Sequence, residues 1–255
     1  MIHHLTVASS VLASTLRGWR GTSSTTRKVE QASNDLILFD QEGCPSCRMV
    51  REAITALNLD VLIMPCPTGG KNLALMQRES GYKTVPVLYD AELEHKTHSA
   101  DDIIEYLYQK YRGESAPQKA MPNWQSNVLS RAASLSRLNA GMSVRAARKA
   151  EKPLTLYSFE SSPYSRPVRE LLCELELPYQ LINLGKQQWS DMGPAKARFT
   201  LKPYQPIKHS KREAFMAMYG DVQVPFIVDP NTGIQMFESK DIILYLRNTY
   251  ALDEI

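Results

Sequence analysis

Cysteine is scarce: the 255-residue chain has four, two of them in one C-x-x-C, too few for a disulfide framework at this length. A reducing, cytoplasmic setting fits better. No run approaches the roughly 18 uninterrupted apolar residues of a membrane span. The mildly apolar start, Ile2 to Leu16, lacks a Lys/Arg-rich leader and is broken by His3, His4, Thr6, Ser9, Ser10, Ser14 and Thr15, so it reads as a short amphipathic helix over 5–19 rather than an export signal. Thr22 to Thr26 follow as a flexible joint. An excess of one charge sign is missing too. With 30 Lys+Arg against 27 Asp+Glu, the net +3 excludes a dedicated nucleic-acid binder. Hydrophobic residues at 43% and charged residues at 22% exclude intrinsic disorder.

What is present is an internal repeat. Leu36-Ile-Leu-Phe39 and Cys44-Pro-Ser-Cys-Arg48 return 118 positions later as Leu154-Thr-Leu-Tyr157 and Ser162-Pro-Tyr-Ser-Arg166. Thr84-Val-Pro-Val-Leu88 and Ile103-Ile-Glu-Tyr-Leu107 return 139 positions later as Gln223-Val-Pro-Phe-Ile227 and Ile242-Ile-Leu-Tyr-Leu246. The second copy therefore carries 21 extra residues, within roughly Lys186–Arg212. Periodicity and breakers give each copy the order β-α-β-α-β-β-α. A basic, Ala/Leu-rich helix is expected between them over 125–150, bent at Gly141, whose apolar stripe could lie on an anionic membrane surface but is expected rather to pack between domains or across a dimer. The expected division is an N-terminal arm (1–33), a first domain (34–112), a linker helix (113–152) and a second domain (153–255).

Cys44 falls where a strand turns into a helix, so unpaired N–H groups and the helix dipole favour its thiolate. Cys47, one turn on, is placed to resolve a mixed disulfide, and Arg48 and Arg51 are expected to add positive potential. Two inert thiols, or half a zinc site completed by His95 and His98, are the alternatives; no metal is expected. Cys66 belongs near the C-x-x-C, as a tuning thiol or a packed loop cysteine, and Cys173 belongs to the core. The insertion, with Trp189, Phe199 and Tyr204 among Lys and Arg, is either a ligand cover or a solvated basic loop.

The β-α-β-α-β-β-α unit, with C-P-x-C after its first strand and T-V-P before its third, resembles glutaredoxins and the N-terminal, glutathione-binding domain of glutathione S-transferases. That resemblance, over about 34–112 and 153–250, implies an α/β fold of two tandem thioredoxin-like domains joined by a helical linker, with glutathione as cofactor. It implies cis bonds at Val85-Pro86 and Val224-Pro225, with each Val offering its backbone to glutathione. Ser162 would hold the glutathione thiolate or simply cap its helix, as Ser165 also replaces a cysteine. Glu238 and Ser239 would bind the γ-glutamyl end; the first copy has Ser99 and Ala100 there, so its site departs from the pattern. The expected function is glutathione-linked thiol–disulfide exchange by Cys44 and Cys47 on a disulfide or glutathionylated substrate. The alternatives are a glutathione transferase using Ser162 or Cys44, and a non-enzymatic glutathione-binding scaffold. Neither nucleic acid nor membrane is expected as a partner; a homodimer is left open.

Overall fold

The computed structural model describes residues 2–27 and 36–252. In the first copy, β1 (Leu36–Asp40), β2 (Val61–Pro65), β3 (Val87–Asp90) and β4 (His95–His98) alternate with α2 (Pro45–Ala56), α3 (Lys71–Ser80) and α4 (Ala100–Arg112). The second copy repeats this as β5 (Leu154–Ser158), α6 (Arg166–Glu174), β6 (Tyr179–Asn183), α7 (Lys211–Tyr219), β7 (Phe226–Asp229), β8 (Ile234–Phe237) and α8 (Ser239–Tyr250). Two further helices, α1 (Ile2–Leu16) and α5 (Trp124–Leu135), precede the copies. The order expected for each copy is thus present. The boundary placed at 33/34 lies outside the described residues.

The eight strands form one sheet in the order β4-β3-β1-β2-β6-β5-β7-β8. Within each copy the first two strands are parallel and the rest antiparallel. The copies join where β2 meets β6 antiparallel, in the register Val61↔Leu181, Leu62↔Gln180 and Ile63↔Tyr179. Those pairs are related by the 118-residue offset, so an internal dyad runs through Leu62 and Gln180, normal to the sheet. Alternation sends Leu36 and Leu38 into one core and Phe39 to the opposite face. The main core is continuous across the dyad, from Leu38, Val50, Ile54 and Ile103 to Leu156, Val168, Leu172 and Ile242. Each fully buried aliphatic side chain there contributes about 1.5–3 kcal/mol.

Helices α1 and α5 also belong to the repeat. Ser10, Ser14, Arg17 and Gly21 match Ser130, Ser134, Arg137 and Gly141 at an offset of 120. Each of these arms reaches across the dyad. Ser14 Oγ donates to Ser161 O at 2.8 Å, and Arg166 donates to Ser10 O at 3.1 Å. In mirror fashion, Ser134 Oγ donates to Gly43 O at 2.6 Å and Arg48 to Ser130 O at 2.6 Å. Beyond the helices, Ser23 bridges Lys186 and Ser143 bridges Thr68. Residues 22–26 are therefore no flexible joint: Lys186 N–H donates to Thr22 O, Ser24 N–H to Lys186 O and Thr25 N–H to Ala56 O. Nor does a helix fill 125–150. It stops at Leu135, because Leu138 and Asn139 turn to positive φ and Arg137 is locked onto Glu170 at 2.5 and 2.8 Å.

Between the copies lies a buried charge network. Arg51 holds Asp40 at 2.6 Å and Glu160 at 2.8 Å, while Arg169 holds Glu42 at 3.0 Å and Glu160 at 3.1 Å. All five side chains are essentially solvent-free. Burial pushes the Asp40 carboxyl up to about 6 despite Arg51. Glu160 is equally buried, yet Arg51, Arg169, Arg166 and Arg48 together hold it below the usual carboxylate range. The expectation that Arg48 and Arg51 serve Cys44 is corrected here: both guanidinium groups turn inward to carboxylates and carbonyls of the network.

Removing one partner of such a pair leaves the others charged and buried, at a cost of about 3–5 kcal/mol. Arg51→Met should lose that much stability in urea unfolding. Arg78→Met, which breaks an exposed pair with Glu79, should change it by less than about 1 kcal/mol. Equally small losses would show that the network does not hold the halves together.

Candidate functional site

In the second copy, Ser162 lies in the turn between β5 and α6, in the position of Cys44. Its Oγ accepts from Ser165 N–H at 3.3 Å and from Ser165 Oγ at 2.9 Å, which leaves its own proton to donate. Val224-Pro225 is cis. Glu238 sits at φ +66° just before α8, a conformation that costs a non-glycine residue about 1–3 kcal/mol and recurs at functional sites. Ser239 opens the helix and is buried. These five residues, drawn from three separate stretches of chain, line one cavity of about 750 Å³.

The insertion forms much of the remaining wall, although Trp189, Phe199 and Leu201 also stay exposed to solvent. Trp189 and Phe199 meet at 5.6 Å between ring centroids, and both line the cavity. Asp191 anchors the insertion by accepting from Tyr204 OH at 2.7 Å and from Gln187 N–H at 2.8 Å. Gly18, Trp19, Thr22 and Ser23 of the first arm close another side. Glu238 Oε1 accepts from Gln223 Nε2 at 2.9 Å and from Lys196 Nζ at 3.1 Å.

Sequence reasoning missed Lys186. It follows β6 at the position of Thr68 in the first copy, and its Nζ donates to Gly193 O at 2.7 Å over the Phe159 ring. Burial, with Arg212 and Arg198 nearby, pushes its pKa down to about 8. The Thr-to-Lys change between aligned copies was the available signal.

The first copy is built differently. Cys44 caps α2 with extended backbone, Pro45 opens the helix, and Cys44 Sγ accepts from Cys47 N–H at 3.4 Å. The Cys47 thiol and the amides of Cys47 and Ser46 stabilise the thiolate against burial and Asp40, which brings Cys44 down to about 7 from 9.0. Cys47 is fully buried, and burial together with Cys44 raises its thiol well above the ordinary range. Val85-Pro86 is cis, and Val85 packs with Cys66, Met76 and Val87. Ser99 takes φ +76°, but its hydroxyl is spent on Asp102, donating to Oδ2 at 2.9 Å and accepting from the amide at 3.3 Å.

Cys66 and Cys173 are buried, and burial raises both thiols. His95 and His98 stack on Tyr106 and Tyr82. Among the described residues no three His, Cys, Asp or Glu side chains gather as a metal site would need.

Comparison with known families matches residues 38–115 and 156–254, each to the glutathione S-transferase N-terminal domain. Neither the curated proteins nor the solved structures give a significant match.

The thiol environments set an order of reactivity. Iodoacetamide should modify Cys44 first, at a rate that rises with pH and is half-maximal at about 7. Cys47, Cys66 and Cys173 should stay unlabelled in the native protein. Peptide mapping that finds Cys47 or Cys173 labelled before Cys44 would overturn the assignment.

Proposed function

The chain belongs to the glutathione S-transferase N-terminal domain family, and from that premise we propose a glutathione-linked thiol–disulfide oxidoreductase with its two tasks on separate copies. Residues 34–112 form the redox unit and 153–255 the glutathione unit, each completed by the other's arm. The observation that supports this most is the cavity that gathers Ser162, Val224, Pro225, Glu238 and Ser239, in the copy that has lost its cysteines.

Glutathione carries one thiol, two carboxylates and one ammonium. The Ser162 hydroxyl would donate to the thiolate, and Val224 would pair its backbone with the cysteinyl unit. Glu238 would accept from the ammonium and Ser239 would donate to the neighbouring carboxylate. Lys186 stands in the same cavity as a cation for the other carboxylate.

In the redox unit, the Cys44 thiolate attacks one sulfur of a substrate disulfide. The S–S bond breaks, a mixed disulfide forms on Cys44, and the departing thiolate takes up a proton. Cys47 then gives up its proton and attacks Cys44 Sγ, which releases the second substrate thiol and leaves a Cys44–Cys47 disulfide. Two glutathione molecules return the two electrons and leave as glutathione disulfide. Val85, Pro86 and Ser99 would shape the substrate approach to Cys44.

A second reading has one observation in its favour. At about 750 Å³ with Trp19, Trp189 and Phe199 on its walls, the cavity has apolar space for an electrophile, as glutathione transfer from Ser162 would need. Turnover of a glutathionylated mixed disulfide that is abolished by Cys44→Ser supports exchange. Conjugation of an aromatic electrophile that is unaffected by Cys44→Ser supports transfer. Binding without either leaves a scaffold.

Calorimetric titration of glutathione tests the division. Glu238→Ala removes a charge-assisted hydrogen bond at a half-exposed site and should weaken binding about tenfold, while Cys44→Ser should bind like the parent. Undiminished binding by Glu238→Ala, or its loss in Cys44→Ser, would place glutathione on the first copy instead.

A further inference from the structure

We propose that the paired arm helices α1 and α5 form a docking face for an anionic lipid surface. The two helices lie side by side across the internal dyad, packed inward on α6 and α2, so their outer sides form one surface around the dyad. That surface exposes Leu5, Leu12, Val128, Leu129, Leu135 and Leu138, the last at 92%, with Trp124 at 74%. By spacing, Leu5 and Leu12 share one stripe of α1, and Trp124, Val128 and Leu135 one stripe of α5; exposed apolar stripes of this kind mark an interaction site.

Its charge selects the partner. Residues 2–27 and 115–150 contain no Asp or Glu, although the chain has 27 of them. Arg131 is exposed on α5 and Arg20 follows α1, while Arg17 and Arg137 are buried with Glu52 and Glu170. The helices therefore offer apolar side chains, a Trp and one exposed guanidinium, Arg131, with no acid beside it in sequence, a combination that suits the boundary of an anionic bilayer. A second copy fits less well, because neither helix supplies a carboxylate to pair with Arg131 across such an interface. Among the described residues no helix is long and apolar enough to cross a membrane, so the contact is peripheral. Gly18 and Trp19, just beyond α1, also line the second-copy cavity, which sets that wall at the edge of the docking face.

Flotation of the full chain with vesicles decides it, using phosphatidylcholine alone and phosphatidylcholine mixed with phosphatidylglycerol. The protein should float with the mixed vesicles, less so at high salt, and not with phosphatidylcholine alone. Arg131→Gln should lower partitioning about fivefold, the value of one basic residue near an anionic surface. Leu138→Glu should abolish it with circular dichroism and thermal midpoint unchanged, since that side chain is almost fully exposed. The proposal fails if both vesicles bind alike or neither binds, or if Leu138→Glu still floats. It fails equally if sizing shows a dimer that Leu138→Glu dissociates, or if a DNA duplex is bound as tightly as the vesicles.

Discussion

The reciprocal grip of Glu42 by Arg169 and of Glu160 by Arg51 is the constraint on which the rest of the molecule depends. Each acid lies two residues before a helix-opening turn, one leading to Cys44 and the other to Ser162. Each arginine lies on the helix of the opposite copy. Neither turn is therefore positioned by its own half alone. The arms add a second crossing, with Ser134 on Gly43 and Ser14 on Ser161. Charges sealed in this way stabilise little against a well-packed apolar interface, yet they are costly to leave unpaired. They thus penalise any arrangement of the two copies except this one.

The dyad is imperfect, and its breaks coincide with the proposed division of labour. Asp40 is matched by Ser158, so Arg51 meets a carboxylate where Arg169 meets a hydroxyl at 3.1 Å. Cys44 and Cys47 are matched by Ser162 and Ser165, Thr68 by Lys186, and Ser99 by Glu238. The first copy keeps an activated thiol, and its Ser99 hydroxyl is bound to Asp102. The second gives up the thiols and gains an insertion that closes a cavity over the matching turn. An internally fused pair is free to diverge in this way, because the common network keeps both turns in place while their chemistry changes.

Much of this was legible in the residues. The order of elements in each copy and the helix-capping place of Cys44 follow from local pattern and repeat spacing, which report short-range preferences directly, and the two cis Val-Pro corners from the family resemblance. What stayed hidden depended on pairing across the repeat. Arg48 and Arg51 were assigned to Cys44 on helical spacing alone, whereas the network partners of Arg51 include Glu160, 109 residues away. The spacing Glu42, Arg48, Arg51, Glu52 recurs as Glu160, Arg166, Arg169, Glu170 and was the clue to that network. The match of Ser10, Ser14 and Arg17 to Ser130, Ser134 and Arg137 was masked because the offset shifts from 118 to 120. The helix over 125–150 was overextended for a related reason: its apolar spacing continues to Leu138, but tertiary bonds to Arg137 end it earlier.

The central claim is that glutathione occupies a cavity made by the second copy and closed by the first copy's arm. Hydrogen–deuterium exchange with and without glutathione tests it most directly. The account predicts slowed exchange at 18–23, 162–165, 186–199 and 222–239, with the 44–47 turn and residues 84–86 unchanged. Protection confined to the 44–47 turn and 84–86, with the second-copy segments unaltered, would contradict it.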